Sequence, residues 1–192
     1  MKNLFFALFI LSFFGCERPS TENSPVEDTQ REIDDRSWLT WDTCSQKPQD
    51  HPCNFELVNQ DGNKVELYDY YGKVIVVDLS TMWCGVCQAI APVGESLVNE
   101  YGEDNFVWLT ILVEDETGLD PEVDDLQRWV SSYGGAAPVL GGDRSLIDPL
   151  AETGYPVTGW PTLAVIDRNM ILTHGINGWS EGYIRSWVED SL

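Results

Sequence analysis

Cys84 and Cys87 form a C-x-x-C pair in a chain that contains five cysteines. A thiolate is the attacking species in thiol–disulfide exchange, and a second thiol three residues away can resolve the mixed disulfide that the attack produces. The same spacing also suits a structural disulfide or half of a zinc site. Zinc would need two further ligands, for which only His51, His174 and the other cysteine pair are available. The pair is therefore interpreted mainly as a redox dithiol.

The residues around the pair indicate how it is held. Residues 74–79 form a continuous run rich in β-branched side chains, which is typical of a strand buried on both faces. Residues 88–101 carry apolar side chains at helical spacing and predict a helix just after the pair. Free backbone N–H groups and the positive end of the helix dipole favour a thiolate at a helix N-terminus. This predicts Cys84 as the nucleophile and Cys87 as the resolving thiol.

The segment 76–92 resembles the active-site segment of the thioredoxin superfamily. Asp78, six residues before the first cysteine of the pair, matches the buried acid of thioredoxin, and Pro92 matches the proline that kinks its active-site helix. Farther along the chain, residues 159–162 (Gly-Trp-Pro-Thr) resemble the loop whose cis-proline faces the cysteine pair in that fold. The resemblance therefore implies a cis peptide bond before Pro161.

Two upstream features are similar to the TlpA/ResA branch of exported, membrane-tethered thioredoxin-like proteins. Residues 55–67 read as a hairpin with an Asp-Gly turn, and Tyr-Gly-Lys follows at 71–73. The resemblance covers about residues 53–192 and implies an α/β fold, a thioredoxin-like three-layer α/β/α sandwich with an added N-terminal β-hairpin. The chain departs from the branch at Val86, where proline is common, and at Trp160, which is bulkier than the usual residue.

The resemblance implies a thiol–disulfide oxidoreductase outside the cytoplasm, and we expect a reductant. Asp78 would exchange a proton with Cys87 through a raised pKa, and Pro161 would hold the client strand. A solvated or salt-bridged strand-end carboxylate is the alternative for Asp78. The implied partners are exported protein thiols or disulfides, such as apocytochrome c or copper-site proteins, with a membrane transporter as the electron donor. No cofactor is expected.

Two other functions use the same dithiol. A disulfide donor would need the same residues and would differ only in its redox potential. A non-enzymatic Cu(I) chaperone would use Cys84 and Cys87 as soft ligands, with Met82 and His174 as the available helpers.

The first residues predict export. Residues 4–14 are almost all apolar, which is too short for a membrane span and typical of a signal peptide. Together with Cys16 they resemble a bacterial lipoprotein signal, so we expect a signal peptide at 1–15 and a lipid on Cys16. Ordinary cleavage nearby is the alternative. A disordered acidic tether at 16–36 and a folded domain at 37–192 would follow. The expected location is the bacterial cell envelope, with a lipid-anchored domain in the periplasm.

The remaining cysteines, Cys44 and Cys53, are predicted to form a structural disulfide outside the catalytic cycle. They flank a polar loop, residues 45–52, that has no evident hydrophobic means of holding itself in place. Because disulfides persist in exported proteins, a bridge is the simplest way to fix this loop. Two alternatives remain: a metal site that includes His51, and a second redox pair that relays electrons to Cys84.

The charge composition limits the classes of molecule that the protein can be expected to bind. Acidic residues outnumber basic ones by 32 to 11, which gives a formal charge of −21 and a pI near 4.1. Such a surface repels phosphate backbones and anionic headgroups, so nucleic acid is not expected as a partner, and membrane contact is expected through the lipid alone.

The rest of the chain fits one α/β domain. The pattern predicts a buried strand at 106–113, an amphipathic helix at 121–133, a short segment at 138–140, a hairpin of 163–166 with 170–175, and a last helix over 180–192 capped by Ser180.

Overall fold

A computed structural model describes residues 36–134 and 138–192, and seven strands and three α-helices follow one another along them. In chain order they are β1 (Glu56–Asn59), β2 (Lys64–Glu66), β3 (Val74–Thr81), α1 (Gly85–Tyr101), β4 (Phe106–Glu114), α2 (Val123–Tyr133), β5 (Val139–Gly141), β6 (Thr162–Ile166), β7 (Leu172–Asn177) and α3 (Glu181–Ser191). Two short 3-10 helices lie at Leu67–Tyr70 and Arg144–Leu146.

The strands form one mixed sheet in the order β2-β1-β5-β4-β3-β6-β7. β3 pairs in parallel with β4, and β4 with β5, so α1 and α2 supply the crossovers that parallel pairs require. The other neighbours are antiparallel. Every residue of β3 and β4 is buried, which explains why their sequences are continuous apolar runs rather than alternating ones.

One face of the sheet packs against α1 and α3. Alternate residues of β3, β4 and β6 point to this face and share one core with both helices. Gly94 lets α1 approach the sheet closely, because a Cβ there would lie 2.8 Å from the Trp108 ring. The core consists of Val74, Val76, Ile90, Leu97, Phe106, Trp108, Leu163, Val165, Ile184 and Val188.

Most element boundaries differ slightly from the sequence prediction, and the predicted cap of the last helix differs as well. α1 begins at Gly85 rather than at residue 88, because Cys84 already occupies the N-cap position. β7 begins at Leu172 rather than at residue 170, because Met170 has a φ of +59° and lies in the turn that the Asp167 carboxylate organises. Ser180 occupies the N-cap position of α3, but its side chain makes no capping hydrogen bond.

The N-terminal predictions lie almost entirely outside the described residues. The signal peptide at 1–15, the lipid on Cys16 and all but the last residue of the 16–36 tether fall there. They stay predictions, as does the domain boundary at residue 37. Thr40–Leu192 forms one compact unit. Within the described ranges, no helix combines the length and apolarity that crossing a membrane would need.

Candidate active site

The C-x-x-C pair lies where β3 passes into α1. Cys84 and Cys87 are joined by a disulfide, with their Cα atoms 5.3 Å apart. Cys84 is the N-cap residue of α1, and its Sγ accepts a hydrogen bond from the backbone N–H of Cys87 at 3.2 Å. Cys84 is 7% exposed, whereas Cys87 is fully buried. An incoming sulfur can therefore reach Cys84 more readily, and the helix N-terminus favours a thiolate there once the bond is reduced.

Apolar side chains surround the exposed edge of the pair. Trp83 and Val86, which flank the two cysteines in the chain, are 49% and 50% exposed. Trp160 meets Trp83 edge to face, with 6.5 Å between the ring centroids and 88° between the planes. We call Trp83, Val86 and Trp160 the apolar rim. It offers a client both contact area and two aromatic surfaces beside Cys84.

A buried carboxylate orients Trp83. Glu114, at the end of β4, is 4% exposed and accepts a hydrogen bond from Trp83 Nε1 at 2.8 Å. Its other oxygen pairs with Arg144, whose side chain is largely exposed. Neither Glu114 nor Arg144 was predicted from the sequence. The sequence does offer a signal for Glu114, which is an acidic residue at the end of the mostly apolar strand β4. Asp78 stands out for the same reason, as an acidic residue in β3.

Asp78 lies in the middle of β3 and is completely buried. Side chains alternate between the two faces of a strand, so Asp78 points to the same face as Val74 and Val76. That face is the one that α1 covers. Burial raises the pKa of Asp78 from 3.8 to about 6, although three hydrogen-bond donors partly offset this effect. Ser80 Oγ donates to Oδ1 at 2.7 Å, while Thr110 Oγ1 and Trp108 Nε1 approach Oδ2 at 3.3 and 3.4 Å.

The loop before β6 brings Pro161 to the same end of the sheet as the cysteine pair. β6 pairs with β3, and Thr162 lies opposite Leu79, near the end of β3. The Trp160–Pro161 peptide bond is cis. Thr162 Oγ1 is 2.8 Å from the carbonyl oxygen of Gly159 and 2.8 Å from Asn177 Oδ1, which ties this loop to β7.

Met82 and His174, the two further Cu(I) ligands considered, lie in different parts of the domain. Met82 is buried in one cluster with Cys84 and Cys87. His174 instead stacks on Trp187 of α3, with ring centroids 4.7 Å apart. In the part of the chain that the structure describes, no group of three or more His, Cys, Asp or Glu side chains is arranged to hold a metal ion.

Cys44 and Cys53 are also joined by a disulfide, with their Cα atoms 4.8 Å apart. Hydrogen bonds also hold the loop between them against β7 and the turn before it. The backbone N–H of Gln49 donates to the Leu172 carbonyl oxygen of β7 at 2.7 Å, and the backbone N–H of Leu172 donates to the Asp50 carbonyl oxygen at 3.0 Å. His51 Nδ1 is 2.7 Å from the Met170 carbonyl oxygen. These contacts hold the two sulfurs near each other whether or not the bond is formed.

We therefore expect the two disulfides to open at different potentials. In graded thiol buffers, Cys84–Cys87 should reduce first, because only its reduced form gains a thiolate at a helix N-terminus. Cys44–Cys53 should persist until the domain begins to unfold, since its pinned loop keeps the thiols close together. Differential alkylation followed by mass spectrometry measures both pairs in one sample. Opening of Cys44–Cys53 first, in still folded protein, would contradict a structural role.

The double variant Cys44→Ser/Cys53→Ser gives a second test of that role. It should lower the free energy of unfolding by about 2–3 kcal/mol, because closing a ring of about ten residues restricts the unfolded chain. Disulfide exchange at Cys84 should stay unchanged. Urea unfolding and an exchange assay measure the two effects separately, and loss of exchange without loss of stability would instead support an electron relay.

Comparison with known proteins places these features in context. Residues 48–175 match the model of the AhpC/TSA family. The thiol-disulfide oxidoreductase ResA of Bacillus thuringiensis is 28% identical over 138 residues, which cover 69% of this chain and 73% of that protein. The crystal structure of the exposed lipoprotein thioredoxin Etrx1 of Streptococcus pneumoniae is 32% identical, with a TM-score of 0.56 over 71% of this chain and 99% of that one.

The similarity to curated thioredoxins is more local. A thioredoxin of Coprinus comatus is 33% identical over 51 residues, which cover 27% of this chain and 48% of that protein. The chain thus spans about half the length of the first curated thioredoxins it matches.

Proposed function

The chain belongs to the AhpC/TSA family, and on that premise we propose that it is a thiol–disulfide oxidoreductase that reduces exported proteins through Cys84 and Cys87. The resemblance to the TlpA/ResA-like branch of the thioredoxin superfamily and the predicted thioredoxin-like α/β fold are confirmed. The observation that carries the proposal is the position of the dithiol: a nearly buried pair at a helix start, with the more accessible sulfur inside an exposed apolar rim.

In the proposed reaction, the reduced protein meets a client disulfide. The Cys84 thiolate attacks one client sulfur, forming a Cys84–client disulfide, and the other client sulfur leaves as a thiolate that takes up a proton. The Cys87 thiolate then attacks Cys84 Sγ, which forms the Cys84–Cys87 disulfide and releases the second client thiolate. The client gains two electrons from the dithiol, and both released client thiolates take up protons from solvent.

Asp78 is proposed to accept the proton that Cys87 loses in the second step. A carboxylate of ordinary pKa would be a poor proton acceptor for a thiol, and the raised pKa brings Asp78 closer to the working range. Its position on the α1 face of the sheet puts it on the side of the sheet where Cys87 lies. Ser80, Thr110 and Trp108 keep the carboxyl group in one orientation throughout the cycle.

The client is proposed to bind as an extended strand along the loop that carries Pro161. Proline has no N–H, so the backbone before it is left free to pair with a client chain. The apolar rim would contact the residues beside the client cysteine. Trp160 narrows this groove compared with a smaller residue, which favours clients with small or flat side chains next to their cysteine.

The Cys84–Cys87 disulfide would be reduced again at the cell envelope, where the protein is proposed to act. Two electrons per cycle must reach Cys84–Cys87, and a membrane transporter with a reactive dithiol would supply them by the same exchange chemistry. Lipidation of Cys16 would keep the domain near that transporter, because a tether of about 20 flexible residues reaches roughly 25 Å. Apocytochrome c and copper-site proteins are the client classes that the ResA-like resemblance suggests.

The redox potential of the Cys84–Cys87 couple tests the direction of the proposed reaction. A value near −270 mV, as in thioredoxin, would support a reductant, and one near −120 mV would support a disulfide donor. Equilibration with glutathione buffers, followed by alkylation, measures it. Tight Cu(I) binding without any disulfide exchange would favour the copper chaperone and contradict an enzymatic role.

A further inference from the structure

The loop that carries Trp160 is closed by a single side-chain atom. Asn177, the last residue of β7, presents its Oδ1 to both ends of this loop. The backbone N–H of Thr158 donates to Oδ1 at 2.7 Å, and Thr162 Oγ1 lies 2.8 Å from the same oxygen. Trp160 lies midway between these two threonines in the chain. The apex of the closed loop is therefore a residue of the apolar rim.

The contact to Thr158 depends on the Asn177 side chain. An N–H group must meet an acceptor, so the amide oxygen faces Thr158. The Thr162 hydroxyl has one hydrogen and two oxygens at 2.8 Å to which it can donate, Asn177 Oδ1 and the Gly159 carbonyl oxygen. Without the Asn177 side chain, the hydroxyl would keep the Gly159 contact, but the Thr158 N–H would lose its acceptor. The start of the loop would then no longer be tied to β7 through this side chain.

The sheet in turn fixes Asn177. Its backbone pairs with Thr162 across β6 and β7. The next residue, Gly178, donates its N–H to the Pro161 carbonyl oxygen at 2.7 Å and has a φ of +96°, which favours glycine. The amide group of Asn177 also approaches the Pro156 carbonyl oxygen, through Nδ2 at 3.5 Å. The loop is thus held by a residue of a strand, and strands position groups more precisely than loops do.

The backbone at the apex of the loop is free to pair with another chain. Within the described part of the protein, neither the N–H nor the carbonyl group of Trp160 makes a hydrogen bond. The Trp160 side chain meets Trp83 edge to face and packs against the cluster that contains Cys84. The loop therefore presents unpaired backbone groups and an aromatic ring near the dithiol. Their position depends on how the ends of the loop are tied.

We propose that Asn177 is a positioning residue for client binding, which holds the loop before β6 in the shape that pairs with the client strand. The inference rests on the proposed function, because it concerns the client that binds along this loop. Asn177 acts through Thr158 and Trp160 and does not need to touch the client. A loop that already has its binding shape spares the client the cost of ordering it. Removing the Asn177 amide should therefore weaken client binding and leave the chemistry at Cys84 unchanged.

Rapid-quench exchange between the reduced protein and increasing concentrations of a disulfide-bonded peptide tests the proposal. Asn177→Leu should raise the half-saturating peptide concentration about fivefold, the size of one net hydrogen bond, and leave the limiting rate unchanged. Asn177→Asp should restore the wild-type value, because a carboxylate oxygen accepts from the Thr158 N–H as the amide oxygen does. Bis(2-hydroxyethyl) disulfide has no peptide backbone, so its exchange rate should be the same in all three proteins.

Asn59→Leu is the matched control. Asn59 Oδ1 accepts from the backbone N–H groups of Asp61 and Asn63, at 3.0 and 2.9 Å, in the turn between β1 and β2. β1 and β7 lie in opposite halves of the sheet. The variant therefore loses the same kind of side-chain acceptor from another turn, and its half-saturating peptide concentration should equal that of the wild type.

The outcomes separate this inference from the proposed function. If the wild type exchanges with both disulfides and Asn177→Leu has the wild-type half-saturating concentration, the inference alone is overturned. It is also overturned if Asn177→Asp binds the peptide as weakly as Asn177→Leu. The same holds if Asn177→Leu slows exchange with the small disulfide as much as with the peptide, because the effect then lies at the dithiol. Exchange of the wild type with neither disulfide would contradict the proposed function and the inference with it.

Discussion

Disulfide exchange is expected to fall to the uncatalysed background in the Cys84→Ser variant, a loss on the order of 10³-fold or more. A serine hydroxyl is not ionised near neutral pH and cannot form the mixed disulfide, so the first step of the cycle is lost. Cys87 cannot replace it, because its side chain is fully buried whereas Cys84 is reachable from solvent. Reduction of a model disulfide peptide under steady electron supply measures the loss.

The Cys87→Ser variant should behave differently, because it keeps the attacking thiol and loses the resolving one. Client proteins should accumulate as mixed disulfides on Cys84 and should be released by added reductant. The Cys44→Ser/Cys53→Ser double variant is the matched control, since it removes the same kind of bond elsewhere in the domain. If Cys87→Ser traps nothing from an envelope extract and Cys84→Ser behaves in the same way, the dithiol is not an exchange centre.

Under the proposed function, we expect the apolar rim to bias which clients such a trap captures. Trp83 is held by Glu114, which is paired with Arg144, so its ring orientation is fixed before a client arrives. Trp160 meets it edge to face. A fixed rim selects clients by the shape of the residues beside their cysteine rather than adapting to each one.

The chain order of the elements could be predicted because their signals are local. The run of β3 and the helical spacing of α1 are each visible within one short stretch, and they place the cysteine pair at a strand–helix junction. Asp78 could be identified as unusual for the same reason. Its partners could not, because the register of β3 with β4 decides that Thr110 lies opposite Asp78, 32 residues away.

The way in which the loop between Cys44 and Cys53 is held could not be predicted for a related reason. Its polar composition gave no sign of fixation, yet β7 holds it through backbone groups at Leu172. Backbone donors and acceptors are the same in every residue except proline, so composition carries no information about which edge strand they will find. The ion pair between Glu114 and Arg144 could not be predicted either, because the fold decides which charged side chains 30 residues apart come together.

The Asp78→Asn variant should separate the catalytic effect of this residue from its effect on stability. The folded protein binds the Asp78 proton more tightly than the unfolded chain, because burial raises the pKa from 3.8 to about 6. Below about pH 4 both states are protonated, and the carboxyl group carries no charge penalty. As the pH rises to about 6 the unfolded state ionises first, so stability is lost, by about 3 kcal/mol in all.

Asparagine is neutral at every pH and avoids this penalty. Above about pH 6 the free energy of unfolding of the variant should therefore exceed that of the wild type by up to about 3 kcal/mol, and the difference should become small near pH 4 and vanish only well below the unfolded pKa of 3.8. The amide oxygen can still accept from Ser80 at the position of Oδ1, and the amide N–H group can donate to the Thr110 hydroxyl at the position of Oδ2, so the fold should be retained. Urea unfolding at both pH values measures the difference.

The same variant should exchange disulfides more slowly, by about 10²-fold, because an amide cannot accept the proton that Cys87 loses. Its rate should also depend less on pH, since the ionisation of Asp78 no longer contributes. Asp61→Asn is the matched control: it makes the same change at an exposed hairpin turn, where Asn-Gly is as favourable as Asp-Gly. An unchanged rate–pH profile together with the predicted gain in stability would leave Asp78 with a structural cost and no part in proton transfer.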